Sequence, residues 1–310
     1  MRDIRSALIT GPTRSIGQAL CRLLLSNGIT IYAVCRPDTP RAECLPEDSN
    51  LHIIYCDVSQ IECLSEKMTG IKVDAFFHLA WVGNDGNNRN NMELQTANIR
   101  YALNACRAAY DLNCRVFIGA GSQAEYGHAN EVLTPDTPCF PEIGYGMAKL
   151  CAGQMTRLEC HRMGIDHIWP RFLSVYGPYE QVTSMTISTI VKLLNNEVPA
   201  LTAGEQIWDY LFADDAAEAL YDMAVNGRDG VVYTVGGGEA RPLREYVEII
   251  RNSIDPDLQI DFGAIPYTPN QLMHLEADIS ALTDDTGFLP HTRFEDGIQK
   301  TIEWVRSSGL

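Results

Sequence analysis

The chain has 310 residues, 45% hydrophobic and 21% charged, which leaves room for one large α/β domain or two modest ones in an ordinary globular protein. A net charge of −16 offers no basic surface for nucleic acid or an anionic membrane, so neither is an expected partner, whereas local arginines and helix N-termini could still hold an anionic small molecule. No apolar run approaches the ~18 residues of a membrane span.

The opening residues, MRDIRSALIT, show no charged-then-apolar leader and run directly into a strand, Ile4 to Thr10. GPTRSIG follows, then an amphipathic helix, SIGQALCRLLLSNG, stopped by Gly28. Strands are predicted at Ile29 to Cys35, Leu51 to Cys56, Val73 to Leu79, Arg115 to Ala120 and Asp166 to Arg171, with long helices at Asn91 to Tyr110 and Ile143 to Met163. Continuous apolar strands alternating with helices imply a parallel sheet covered on both faces, a Rossmann-type doubly wound α/β architecture. Beyond Arg171 the rhythm weakens. Helices are predicted at 184–196, 214–226, 242–253 and 294–307, and a strand at 231–235; 205–212 is strand or loop, and 255–270 is Pro-rich. We expect residues 1–172 to form an NAD(P)-binding domain and 173–310 mainly a smaller substrate-binding lobe, with segments of 205–238 packing back onto the first.

Ten cysteines are scattered without a Cys-x-x-Cys pair, which reads as reduced, buried thiols in a cytoplasmic protein with no metal site.

A glycine-rich turn between the first strand and helix lets backbone N–H groups approach a pyrophosphate. Gly11 and Gly17 hold its outer positions, while Arg14 or Ser15 stands where a middle glycine is usual. A turn in a non-binding α/β protein could look the same, but the place at the first strand–helix junction favours the cofactor. The second strand ends in Arg36, with no Asp or Glu to bind a ribose 2′-hydroxyl. A guanidinium pairs with a 2′-phosphate, and Arg14 could add a second cation, so the expected cofactor is NADP, with NAD possible. The alternative for Arg36 is a solvated loop residue. Asp57, after the third strand, is placed to meet the adenine edge or to serve as an ordinary loop aspartate.

Tyr145 and Lys149 lie four apart on a predicted helix, hence on one face. A lysine ammonium nearby would favour the phenolate and lower the tyrosine's pKa toward neutrality, making a proton donor and acceptor. An isolated Tyr-x-x-x-Lys also occurs on ordinary helix surfaces.

Taken in order, TGPTRSIG, CDV at 56–58, HLAW at 78–81, Asn98, GSQAEYG at 121–127, YGMAK at 145–149, RFLSVYGP at 171–178, WDYLFADDAAEA at 208–219, DISALTDDTGFLP and FEDGIQKTIEW resemble an extended short-chain dehydrogenase/reductase of the nucleotide-sugar epimerase/dehydratase group. The resemblance implies a catalytic set of Ser122, Tyr145 and Lys149 working at C4 of a nucleotide-activated hexose, with Lys149 also holding the nicotinamide ribose. It implies cofactor contacts from Gly11, Thr13, Arg14, Ser15, Ile16, Gly17, Arg36, Asp57, Val58, Leu79, Ala80, Trp81, Asn98 and Leu173, beside Tyr145 and Lys149. For the substrate it points to Gln123, Ser174, Trp208 and Arg241, and it implies a homodimer.

Departures narrow the chemistry. Sugar 4,6-dehydratases of the group carry Asp-Glu after the catalytic hydroxyl residue; here Gln123 and Ala124 stand there, so dehydration is disfavoured, as is decarboxylation. Glu125 would point away if this stretch were extended, an argument that a helical turn would spoil. Ser174 replaces a usual Asn and Trp208 a usual Arg, so diphosphate binding is altered. Arg171, Arg241 and Arg244 are alternative anion partners, and Trp208 could stack on a base or sit in the core. The polar segment Gly83 to Asn91 should lie over the site, as a lid or a plain loop. Two chemistries fit, reduction of a 4-keto sugar and 4-epimerisation. The alternative from another class is a non-catalytic NADP-binding redox sensor, which intact Tyr145 and Lys149 argue against.

Overall fold

A computed structural model describes all 310 residues. The first part of the chain runs β1 (Ser6–Thr10), α1 (Ser15–Ser26), β2 (Thr30–Cys35), β3 (Leu51–Tyr55), the short α2 (Leu64–Lys67), β4 (Ala75–His78), α3 (Met92–Asp111), β5 (Val116–Gly119), β6 (Gly121–Ser122), α4 (Gly144–Met163) and β7 (Asp166–Phe172). Then come β8 (Ser174–Tyr176), α5 (Met185–Leu194), β9 (Ala200–Leu201), β10 (Ile207–Phe212), α6 (Ala213–Asn226), β11 (Val231–Val235), β12 (Ala240–Pro242), α7 (Leu243–Ile254), β13 (Asp261–Phe262), β14 (His274–Leu275), α8 (Ser280–Thr286) and α9 (Phe294–Ser308).

The main sheet has the order β11-β7-β5-β4-β1-β2-β3, every pair parallel, with β6 also on β7. Strand alternation divides its side chains between two faces. Ile9, Ile31 and Ile118 face Leu20 and Leu24 of α1 and Leu220 and Met223 of α6. Leu8, Phe76 and Phe117 face Ala105, Ala108 and Ala109 of α3 and Cys160 of α4. Both layers are fully buried, so truncating Leu8 to Ala should cost about 2–5 kcal/mol. Chain order reverses between β1 and β4, which opens a crevice beyond their carboxyl ends.

A second core forms beside this sheet. Ile187, Ile190 and Leu193 of α5 pack with Tyr246 and Ile250 of α7 and Phe294, Ile298 and Ile302 of α9. A four-stranded sheet built on β10 joins it, with β12 antiparallel on one side and β14 parallel on the other of its first half, and β8 parallel along its second half. That two-sided pairing makes 207–212 a strand, where the sequence left strand or loop open. The Pro-rich stretch holds only β13, which pairs with β9. The seven-residue α8 was not predicted; Gly287, at φ +81, ends it. No helix is long and apolar enough to cross a membrane.

Candidate active site

The turn after β1 fits a dinucleotide pyrophosphate. Gly11 sits at φ +73, where a Cβ would come within 2.9 Å of the Ala80 nitrogen. A Cβ on Gly17 would lie 2.7 Å from the Pro12 Cα and overlap the Gly11 carbonyl. Glycine is therefore required at both places for the turn to close against the start of α1 and against the segment after β4. The first turn of α1 carries no side-chain cap and no acidic residue, and the buried Ser15 hydroxyl has no partner. Such a helix start is ready for an anion. The missing middle glycine has a physical reason. Arg14 is the N-cap residue at φ −107 and ψ 172, ordinary extended backbone that tolerates a side chain.

Three cations meet here. Arg14 is pushed below its ordinary pKa first by burial, then by Arg41 and, more weakly, by Arg36, with Asp85 opposing. Arg36 and Arg41 are exposed. Arg41, on the single turn Pro40–Cys44, escaped the sequence reading. It lies five residues beyond the strand-end position that the motif marks. Of the other expected cofactor contacts, Thr13 and Ile16 line the turn and are half-buried, while Val58 packs in the α3-side core. Leu79 and Ala80 present backbone to Gly11. Leu173 is buried, with its N–H donated to the Val235 carbonyl. Asp57 caps the following turn, accepting from the Ser59 N–H at 2.9 Å. Asn98 is turned to the protein: its amide accepts from the Val82 N–H and donates to the Val82 carbonyl, both at 2.9 Å.

Ser122, Tyr145 and Lys149 converge beyond β5. Ser122 ends the β6 bridge, and its Oγ accepts the Ala124 N–H at 3.2 Å. Its own proton stays available, and the hydroxyl is close enough to Tyr145 to favour the phenolate. Gly144 begins α4, so Tyr145 and Lys149 lie on its first two turns. Lys149 is buried. Its ammonium donates to the Ala120 carbonyl at 2.5 Å and lies 3.9 Å from the centre of a Trp81 ring. Trp81 is fixed by an N–H bond to Gln95 Oε1 and meets Tyr145 edge-on at 6.1 Å.

The expected electrostatics need correction. Burial pushes the Tyr145 phenol up, and the opposing influences are the Ser122 hydroxyl and Arg89. Lys149 does not lower it. Its nitrogen is 5.8 Å from the phenol ring centre and faces Ala120, and burial brings its pKa down to about 7. The cation laid on the tyrosine is Arg89, 4.8 Å from the ring centre. It is the only cation in the Gly/Asn-rich segment 83–91, a signal the sequence reading passed over.

Gln123 to Glu125 form a single 3-10 turn, so the expectation that an extended stretch points Glu125 away falls. Glu125 is nevertheless committed elsewhere. It accepts from the Ser122 N–H at 2.8 Å, Trp169 Nε1 at 3.0 Å and Arg171 Nε at 2.8 Å, with no exposed surface. The same pair removes Arg171 from the candidate anion ligands. Half-buried Gln123 is the polar side chain of this turn. Segment 83–91 is tied down at several points: Gln95 Nε2 donates to the carbonyls of Gly83 and Asn88, and Asn90 Oδ1 accepts the Gly144 N–H.

On the substrate side, Trp208 Nε1 donates to Ser174 Oγ at 2.7 Å. Its ring packs between two cores instead of standing free to stack. Arg241, an expected substrate ligand, is occupied by Glu239 and Glu295 at 3.1 Å each. Arg244 lies 4.0 Å over the Phe262 ring, beside a cavity of about 220 Å³ lined by Met185, Leu201, Leu243, Val247, Phe262 and Ile265. The ten cysteines are free thiols, but the expectation that they are buried holds for six only: Cys44 and Cys63 are exposed, and Cys139 and Cys151 half-buried.

With this geometry in place, comparisons assign the family. A model described as the NAD dependent epimerase/dehydratase family matches residues 7–236. A dTDP-glucose 4,6-dehydratase from Xanthomonas campestris is 29% identical over 199 residues, 61% of this chain and 57% of that relative. A dTDP-4-dehydro-6-deoxyglucose reductase from Escherichia coli is 25% identical over 96% of this chain and 97% of its own length. The chain thus spans little more than half the length of the dehydratases it matches. Among solved structures, a UDP-N-acetylglucosamine 4-epimerase from Methanobrevibacter ruminantium superposes with a TM-score of 0.88 at 24% identity, covering 99% of this chain and 100% of that one. A UDP-glucuronic acid 4-epimerase from Bacillus cereus gives 0.85 at 20%, covering 98% and 99%. At these identities the structures establish the fold.

Proposed function

The chain belongs to the NAD-dependent epimerase/dehydratase family, and from that premise we propose that it is a nicotinamide-dependent oxidoreductase acting at C4 of a nucleotide-activated hexose, with reduction of a 4-keto sugar as the reaction. The observation that carries this reading is the convergence of Ser122, Tyr145 and Lys149 beside the crevice that the phosphate turn opens into. When bound, a dinucleotide supplies the hydride chemistry; Gly11, Ser15 and Gly17 would hold its pyrophosphate, and Arg14, Arg36 and Arg41 a 2′-phosphate.

Tyr145 is the acid. Its raised pKa keeps the phenol protonated at neutral pH, so it donates to the C4 oxygen as that oxygen gains charge. The Ser122 O–H hydrogen-bonds the same oxygen and orients it. Lys149, titrating near 7, can return a proton to the phenol or bond the nicotinamide ribose once it swings from Ala120. A resting neutral phenol suits reduction better than epimerisation, which must begin by removing a proton. The arginine cluster favours NADP, and a relative that aligns over nearly the whole chain is a dTDP-4-dehydro-6-deoxyglucose reductase. Dehydration lacks its acid and base, since Gln123 and Ala124 cannot move the proton and Glu125 is bound to Arg171.

The test is to denature purified protein and identify any released nicotinamide, then assay NADPH oxidation with a nucleotide-linked 4-keto sugar. Substrate-dependent oxidation by cofactor-free protein supports a reductase. Tightly retained NAD with no net oxidation supports a 4-epimerase instead.

A further inference from the structure

Arg89 is a cation without a counter-ion at the point where the sugar reacts. Its guanidinium lies on the Tyr145 ring, and its Nε is buried with no hydrogen-bond partner. An unpaired buried donor on a charged group is costly and is tolerated where something completes it. The residue is held there. Its neighbour Asn90 accepts the Gly144 N–H at 2.9 Å, which bolts this segment to the start of α4. A Cβ on Gly144 would lie 2.9 Å from the Met92 sulfur and 3.2 Å from the Arg89 carbonyl, so a side chain here would push this segment back by a few tenths of an ångström. Gln95 grips Asn88 from the other side.

No internal group neutralises this charge. Glu125, the buried carboxylate that acts on Tyr145, is satisfied by Arg171. Asp85, on the same segment, acts on Arg14 at the phosphate turn. The open donor is a place for an acceptor on the substrate, and an anion matches its charge best. The phenol marks where C4 of the hexose sits. The diphosphate hangs from C1, on the opposite side of the sugar ring, so it cannot be the group beside the phenol. Two carbons flank the reacting one: C3 carries a hydroxyl, and C5 carries C6, the position at which a hexose holds a carboxylate, so an anionic partner for Arg89 comes from C6.

We propose that Arg89 is a specificity-determining residue that receives a carboxylate at C6 of the hexose, so that the chain selects nucleotide-linked uronic acids over neutral hexoses. This rests on the reading of Tyr145 as the group at C4. The planar fork of guanidinium donors matches a carboxylate in two parallel bonds, which a neutral hydroxymethyl group cannot make.

Calorimetric binding to the NADP-loaded protein tests it, using glucose and glucuronic acid linked to UDP and to dTDP. The wild type should bind the uronate of a pair about tenfold or more tightly, the scale of a charge-assisted pair. Arg89→Met should abolish that preference while changing affinity for the neutral sugar less than about threefold. Arg89→Gln serves if the first variant does not fold. The proposal is overturned if the wild type shows no uronate preference, binding of none of the four included, or if the preference survives in the variant. It is also overturned if the variant alters only kcat and the pH profile, which would give the guanidinium to the phenol. Binding is read without turnover, so loss of C4 chemistry with the preference intact would sink the function and leave this inference standing.

Discussion

Trp208 donates its indole N–H to Ser174 at 2.7 Å, so the two positions where this chain departs from the resembled group's phosphate ligands are bonded to each other. They changed into a matched pair: a usual cation and amide have become a packed ring and its acceptor. The pair Ser174→Asn with Trp208→Arg should tighten UDP or dTDP binding about tenfold, one new charge-assisted contact. Calorimetry checks this; unchanged affinity would mean the diphosphate takes another route, past Arg244.

The arginine cluster makes a cofactor prediction. Arg41 and Arg36 both act through space on Arg14, which disfavours its charged form until an anion arrives. Arg36→Ala with Arg41→Ala should weaken NADP about 10–100-fold, while NAD changes little, because only NADP carries the 2′-phosphate. Fluorescence titration with each reduced cofactor reads the ratio. Tighter binding of NAD to the wild type would contradict the assignment.

Lys149 predicts a pH dependence of stability. Its folded pKa is about 7 against an ordinary 10.5. Between those values the unfolded chain holds a proton that the folded chain lacks, so this group makes stability rise with pH across that window. Its burial penalty is full below pH 7 and relieved above it. The Tm of Lys149→Met minus that of the parent should therefore be largest near pH 6.5 and shrink toward pH 10. Thermal scans of the cofactor-free proteins measure it.

The Glu125–Arg171 pair is buried on both sides and holds the turn that carries Ser122. Glu125→Ala leaves the guanidinium uncompensated and should cost about 3–5 kcal/mol in urea unfolding. Adding Arg171→Met should recover part of that loss, because no buried charge is then left alone.

The sheet was legible because its strands are continuous apolar runs whose alternate residues bury on opposite faces, as Leu8 and Ile9 do. Tyr145 and Lys149 were legible from helical spacing. What the spacing could not carry was the direction of the lysine: burial and the Ala120 carbonyl turn it from the phenol, and a tertiary approach brings Arg89 from a segment more than fifty residues away. Arg41 was hidden similarly, since the motif marks a strand end and this residue lies on the turn beyond it. The fate of Glu125 depended on a single 3-10 turn, and α8, at seven residues, is too short for a periodic signal.

The central claim is that the Tyr145 phenol moves the proton at C4. Tyr145→Phe removes one oxygen from a half-buried side chain and should leave the fold and NADPH binding intact. Single-turnover oxidation of NADPH by a 4-keto sugar, followed at 340 nm, should fall about 10²–10⁴-fold, the usual contribution of a positioned acid. A variant that oxidises NADPH at the parent rate would contradict the account.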